Sequence, residues 1–238
     1  MSDRVQLTID SAVATVRMSR PEKRNALDAD MFRGLIRTGE RIIADNRIRA
    51  VVLHGEGKAF CAGLDFASFL GSPDSMQELL ARSEESPANM AQRAAWIWQE
   101  VKVPVIAAVH GFAFGGGLQI ALGADLRYVT ADAQFSVMEI KWGLIPDMSI
   151  TQTLLRLVPI DVAKEFSDDP LADAVETAKL IATKSPHAIR AGKALLRDAA
   201  DALKLETALQ VSLLGGPNQT EAVQANMMKR APSFKDPE

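Results

Sequence analysis

The chain has 238 residues, of which 47% are hydrophobic and 24% charged, a size and composition that predict a globular fold with a substantial apolar core. Its 27 basic and 30 acidic side chains leave a formal charge of -3, too balanced for a surface that binds nucleic acid or an anionic membrane. The single cysteine, Cys61, excludes an internal disulfide and a zinc site built on several thiolates, and fits a reducing, cytoplasmic compartment. Apolar runs such as residues 103–109 fall short of a bilayer span and the polar start Met1-Ser2-Asp3-Arg4 lacks a signal-peptide core, so neither insertion nor export is expected.

Alternation over residues 5–9 and 13–18, with Asp10-Ser11 between, predicts an antiparallel hairpin. A polar loop follows at Arg20-Pro21-Glu22-Lys23-Arg24-Asn25, and Asp28 is placed to cap a helix whose apolar face carries Met31, Phe32, Leu35, Ile36, Ile42 and Ile43. Residues 50–53 read as a buried strand running into a glycine-punctuated loop over 55–65. From 75 to 102 the composition is helical but Pro87 interrupts it, giving either two helices or a loop and then a helix through Trp96 and Trp98.

Residues 104–109 are apolar at every position, as expected of a strand covered on both faces in a largely parallel sheet. Gly115-Gly116-Gly117, a helix over 118–122 and a strand over 126–129 complete a βαβ unit. A short strand is expected over 135–138, a helix over 149–157, and helical structure after residue 172. The fold class is α/β with a helical C-terminal part.

Several chemistries lack their residues. Gly115-Gly116-Gly117-Leu118-Gln119-Ile120 has no third glycine for a dinucleotide turn, Gly192-Lys193 has no upstream glycine for a phosphate loop, and no Gly-x-Ser-x-Gly elbow exists. His54, His110 and His187 are too scattered for helical metal-ligand spacing, so no metal is expected. Cys61 has no neighbouring histidine to activate it. What remains is two glycine loops, each after a buried strand, offering backbone N–H groups near residues 64 and 116. Converging amides suit a developing oxyanion; the same glycines also suit close strand-to-helix packing alone.

Six blocks in order resemble the crotonase superfamily, the enoyl-CoA hydratases and isomerases: Arg20-Pro21-Glu22-Lys23-Arg24-Asn25-Ala26-Leu27, Lys58-Ala59-Phe60-Cys61-Ala62-Gly63-Leu64-Asp65, Pro104-Val105-Ile106-Ala107-Ala108-Val109-His110-Gly111, Gly115-Gly116-Gly117, Ala124-Asp125-Leu126-Arg127 and Gly143-Leu144-Ile145-Pro146. The resemblance implies a crotonase-like spiral of ββα units over 1–166, a helical region over 167–238, and assembly as a trimer or dimer of trimers. It implies an acyl-CoA substrate, coenzyme A entering only as part of that thioester. The carbonyl oxygen would lie between the amides of Leu64 and Gly116, the adenine along the loop with Ala62 and Asp65, and the phosphates near Lys23 and Arg24.

The sequence departs from the family's hydratases at Gln119, where they carry the first of two glutamates. A carboxamide neither takes nor gives a proton at neutral pH. Glu139 matches the second glutamate. Asp147 stands where hydratases have glycine and resembles the aspartate of dienoyl-CoA isomerases, although those enzymes carry an aspartate where this chain has Gln119. Glu139 and Asp147 are therefore expected to move a double bond as an acid–base pair, with Trp142, Ile145 and Met148 helping to keep one carboxyl protonated. Alternatively Asp147 caps the following helix, Glu139 alone activates water in a hydratase, or the chain binds acyl-CoA without turnover. Phe166 joins Ser167 where relatives have a further helix and strand, so a segment is expected to be missing there.

Overall fold

The computed structural model describes residues 4–70, 73–82, 88–158, 184–185, 187–188, 191 and 202–235. The chain divides into two compact units, Met1–Val137 and Met138–Glu238. The expected boundary after residue 166, the expected missing segment there, and much of the expected helical structure between residues 172 and 201 lie outside the described residues.

The first unit is built on a five-stranded sheet. Strands β1 (Val5–Asp10) and β2 (Val13–Met18) form the hairpin, with Val5 opposite Met18. Its turn residues are Ser11 and Ala12, at φ 48° and 69°, one position beyond the expected Asp10-Ser11; two successive positive φ angles match the right-handed twist of the paired strands. Strands β3 (Ala50–Gly55) and β4 (Val105–Val109) follow in parallel. Strand β5 (Phe112–Phe114) leaves this sheet, and β6 (Leu126–Val129) returns to pair with β4, giving the order β1-β2-β3-β4-β6. In β4 Val105, Ala107 and Val109 are buried while Ile106 and Ala108 are half-buried, so only one of its faces is fully covered, not both as the apolar run suggested.

Helix α1 (Ala29–Ala44) starts at Asp28, whose carboxylate accepts the Met31 N–H at 2.9 Å. Short helices α2 (Phe66–Leu70) and α3 (Pro73–Leu80) precede α4 (Met90–Glu100), which opens on a reciprocal Asn89–Gln92 capping box. Helices α1 and α4 cross closely at Gly39, where a Cβ would sit 2.3 Å from Ile97 Cγ1. Every residue of helix α5 (Gly116–Gly123) is buried. Strand β7 (Gln134–Ser136) pairs in parallel with β5 in a separate two-stranded sheet. It stops short of the expected end at 138.

The second unit opens with a 3₁₀ turn over Glu139–Trp142. Helix α6 (Ile150–Thr153) tightens at once into a 3₁₀ turn over Leu154–Arg156, which is why the expected helix over 149–157 is not a continuous α-helix. Ser149, at φ 65°, occupies its N-cap, so Asp147 does not. Helices α7 (Ala202–Leu213) and α8 (Pro217–Met227) complete the described part. Ile145 packs with Ala188, Ala191 and Leu213, flanked by Ile140, Leu205 and Leu209. Among the described residues no helix is long and apolar enough to cross a membrane.

Candidate functional site

Strands β3 and β4 lie side by side with Val52 opposite Ile106, and the loops that follow them stay paired. Phe60 N–H donates to His110 O at 2.8 Å, Cys61 N–H to Phe112 O at 2.9 Å, and Phe114 N–H back to Cys61 O at 3.1 Å. Cys61 thus faces Ala113 across a parallel bridge, and three residues farther along each segment stand Leu64 and Gly116. Gly63, at φ 89°, presses on the second loop: a Cβ there would lie 2.7 Å from Phe114 O and 3.8 Å from Gly116 N. Gly117 closes the contact from the other side, with no room for a Cβ against Cys61 O at 2.3 Å.

Leu64 is bridged to Leu27 by its neighbours. Leu27 N–H donates to Gly63 O at 2.8 Å and Asp65 N–H to Leu27 O at 3.0 Å, so the Leu64 N–H points away from Leu27. Gly116 is the first residue of α5, after a Gly115 held at φ 51° and ψ -120°. Among the described residues neither the Leu64 nor the Gly116 amide donates to a protein acceptor. Two donors from separate loops are therefore held close, one at a helix start where the dipole favours negative charge.

The sequence matches the family described as "Enoyl-CoA hydratase/isomerase" over residues 8–169. The chain belongs to the enoyl-CoA hydratase/isomerase family. It is 30% identical to the mouse mitochondrial Delta(3,5)-Delta(2,4)-dienoyl-CoA isomerase, over 92% of this chain and 77% of that protein. It is 29% identical to enoyl-CoA hydratase EchA19 of Mycobacterium tuberculosis, over 93% and 92%. Among solved structures, an enoyl-CoA hydratase/isomerase from Pseudoalteromonas atlantica T6c superposes with a TM-score of 0.71 at 26% identity, covering 98% of this chain and 100% of the other. An enoyl-CoA hydratase from Bacillus anthracis gives a TM-score of 0.60 at 25% identity, over 98% and 99%. The fold is crotonase-like, and the chain is an enzyme of a family that acts on coenzyme A thioesters.

In this family member the loop carrying Lys23 and Arg24 is pinned to the first glycine loop. Asn25 is fully buried, at φ 56°; its amide donates to Glu56 O, Ala59 O and Phe60 O at 2.9, 2.8 and 3.2 Å, and its Oδ1 accepts the Arg20 N–H at 2.9 Å. Ala62 N–H donates to Arg24 O at 3.0 Å. The Arg24 guanidinium lies 5.6 Å from the centre of the Phe112 ring, and Lys23 is exposed. The Asp65 carboxylate is held by Arg20 at 2.8 Å. Cys61 is buried, donates to Asn25 O, and its thiol is pushed up to about 12 by burial, which leaves no thiolate. Gln119 is buried within α5. Trp98 is fully buried in α4.

The second unit collects carboxyl groups. Glu139 starts its 3₁₀ turn with its Oε2 shielded from solvent. The Asp147 carboxyl is driven well above the usual carboxylate range, first by burial and then by the negative charges of Glu139 and Glu206. Glu206, on α7, is fully buried. Its Oε2 accepts Ser149 N–H at 2.9 Å, and its Oε1 accepts Thr151 N–H at 3.3 Å and the Thr151 hydroxyl at 2.5 Å. Glu206 and Arg20 were not among the expected site residues. The spacing of Leu203, Glu206, Gln210 and Leu213 sets Glu206 in the stripe of α7 that turns inward, and an acid in such a stripe is the signal that points to it.

Proposed function

We propose that this enzyme moves a carbon–carbon double bond in an acyl-CoA thioester, with Glu139 and Asp147 as its proton carriers. Glu139, as carboxylate, takes a proton from a carbon activated by the thioester; the C–H electron pair moves into the conjugated system and the carbonyl oxygen becomes an enolate. The amides of Leu64 and Gly116 donate to that oxygen, each worth roughly 2.7–4 kcal/mol of barrier in comparable sites. Asp147, as neutral acid, returns a proton farther along the chain and the double bond re-forms in its new place. Proton exchange then resets both carboxyls. The nucleotide of the substrate runs past Ala62 and Asp65, with Lys23 and Arg24 toward its phosphates.

The observation that carries this reading is the Asp147 carboxyl, raised by burial and by the charge of Glu139, which favours its neutral, proton-donating form. Gln119 supports it from the other direction, because hydration by two carboxylates lacks one of them. The likeness to dienoyl-CoA isomerases points the same way. The test is a 3,5-dienoyl-CoA substrate: its conversion to the 2,4-diene, read from the new absorbance band, is expected to fall by at least about 10²-fold in Glu139→Gln and in Asp147→Asn. Full activity in both variants rejects the assignment.

Gln119 also motivates a second reading, a hydratase in which Glu139 alone activates water, or a binder without turnover. Loss of the conjugated band of crotonyl-CoA marks hydration, and acyl-CoA binding without product marks the binder. We place the enzyme in the cytoplasm, where its single thiol stays reduced. We read it as a homotrimer or dimer of trimers, supported by apolar exposure on the edge strand β6, where Leu126, Tyr128 and Val129 are 51%, 71% and 46% accessible. Light scattering that returns a monomer removes that assembly.

A further inference from the structure

Arg20 and Asp65 form a nearly enclosed ion pair in the first unit: the two side chains are 9% and 11% exposed and Arg20 Nη2 stands 2.8 Å from Asp65 Oδ2. Arg20 is itself fixed from two directions, its main-chain N–H by Asn25 Oδ1 at 2.9 Å and its Nη1 by Ala26 O at 3.0 Å. Its Nε lies 3.5 Å from Asp28 Oδ2, but Asp28 already takes Arg4 Nη2 at 2.9 Å and caps α1 through its other oxygen. Asp65 is thus the shortest ionic contact of Arg20.

An enclosed ion pair is a poor source of net stability, because desolvating both charges offsets most of their attraction. What it supplies is geometry. Asp65 directly follows Leu64, and the Leu64 peptide is gripped on its Leu27 side through Gly63 O and Asp65 N–H. The backbone beyond Asp65 is held as well, since Asp65 O accepts both the N–H and the hydroxyl of Ser68, at 3.0 and 2.8 Å. The Leu64 carbonyl accepts the Phe66 N–H at 3.1 Å, and the Asp65 side chain, held by Arg20, is a further handle on this segment.

We propose that Arg20 is a positioning residue that, by gripping Asp65, fixes the direction of the Leu64 N–H for an oxyanion. The inference rests on Leu64 being such a donor, as assigned above. Arg20 touches no reacting atom in this scheme and acts only through Asp65. The loss is then felt where charge develops on the oxygen more than where the substrate first binds, so the rate falls and ground-state affinity changes little.

The experiment compares Arg20→Met, Asp65→Asn and the double variant on a dienoyl-CoA substrate, together with amide hydrogen exchange in the ligand-free protein. Each single variant is expected to lower kcat by about 10- to 100-fold with KM within about threefold. The double variant is expected to be no slower than the slower single one, because both changes break the same contact. Exchange at residues 65 and 66, whose N–H groups donate to Leu27 O and Leu64 O, is expected to quicken at least about tenfold while the amides of β3 keep their protection. Unchanged kcat in Asp65→Asn, multiplying losses in the double variant, or unchanged exchange at 65 and 66 overturns the proposal. If Arg20→Met does not fold, the nearly isosteric Asp65→Asn decides alone. If the wild-type protein turns over no enoyl or dienoyl thioester, the assignment of activity fails, and the exchange comparison still decides whether Arg20 holds Leu64.

Discussion

The Gly117 backbone leaves no space for a methyl group against Cys61: a Cβ would lie 2.3 Å from Cys61 O and 2.8 Å from Cys61 Cβ. The contact seats the first turn of α5 on the loop that carries Leu64. Gly117→Ala is expected to wedge the two loops apart, lowering turnover by about 10²-fold and stability by about 1–3 kcal/mol. Chemical denaturation measured beside steady-state kinetics separates the two losses.

Asn25 ties Arg20 to three carbonyls of the first glycine loop while holding a left-handed backbone that asparagine tolerates better than most residues. Asn25→Ala strands those buried oxygens and strains the turn together. A loss of about 3 kcal/mol or more is expected by urea unfolding. Asn25→Asp is expected to be no better, since a carboxylate would then face carbonyl oxygens.

Asp147 sets a pH dependence whose sign is fixed. Its folded carboxyl holds a proton more tightly than the unfolded one, with Glu139 and Glu206 the charges facing it. The native state therefore binds more protons, and stability declines as pH rises from the unfolded value, about 3.9 for aspartate, through the raised folded one. Asp147→Asn removes that slope. The variant is expected to gain on the wild type in melting temperature at neutral pH and to match it near pH 4; an unchanged difference across that range contradicts the shift.

Glu206 holds the Ser149–Thr151 corner through two N–H groups and a hydroxyl. Glu206→Ala leaves three buried donors without an acceptor and is expected to cost on the order of 3 kcal/mol. Glu206→Gln keeps an acceptor oxygen, removes the charge, and is expected to lower the pH at which Asp147 titrates, read by carbon NMR of the aspartate carboxyls.

How far the sequence reveals this molecule depends on the range of each interaction. The hairpin, α1 with its Asp28 cap, and the cores of β3 and β4 follow from alternation and capping within a few residues. Strand β5 does not: Phe112-Ala113-Phe114 is a short piece between glycines, and only pairing with the distant Gln134–Ser136 makes it a strand. Ser149 displaced Asp147 from the N-cap because Glu206, more than fifty positions away, supplies the acceptor that a local cap would have supplied. Leu64 and Gly116 were named from motif likeness; their closeness comes from the Cys61–Ala113 register, which no local pattern encodes.

The burial of α5 also limits how this enzyme's chemistry can be rewritten. Gln119 is 1% exposed in a helix with no solvent-facing side. A glutamate engineered there, enclosed on all sides, would have its carboxyl pushed up by burial. Supplying a second charged carboxylate on this helix therefore requires opening a wet path to it as well as changing one amide into an acid.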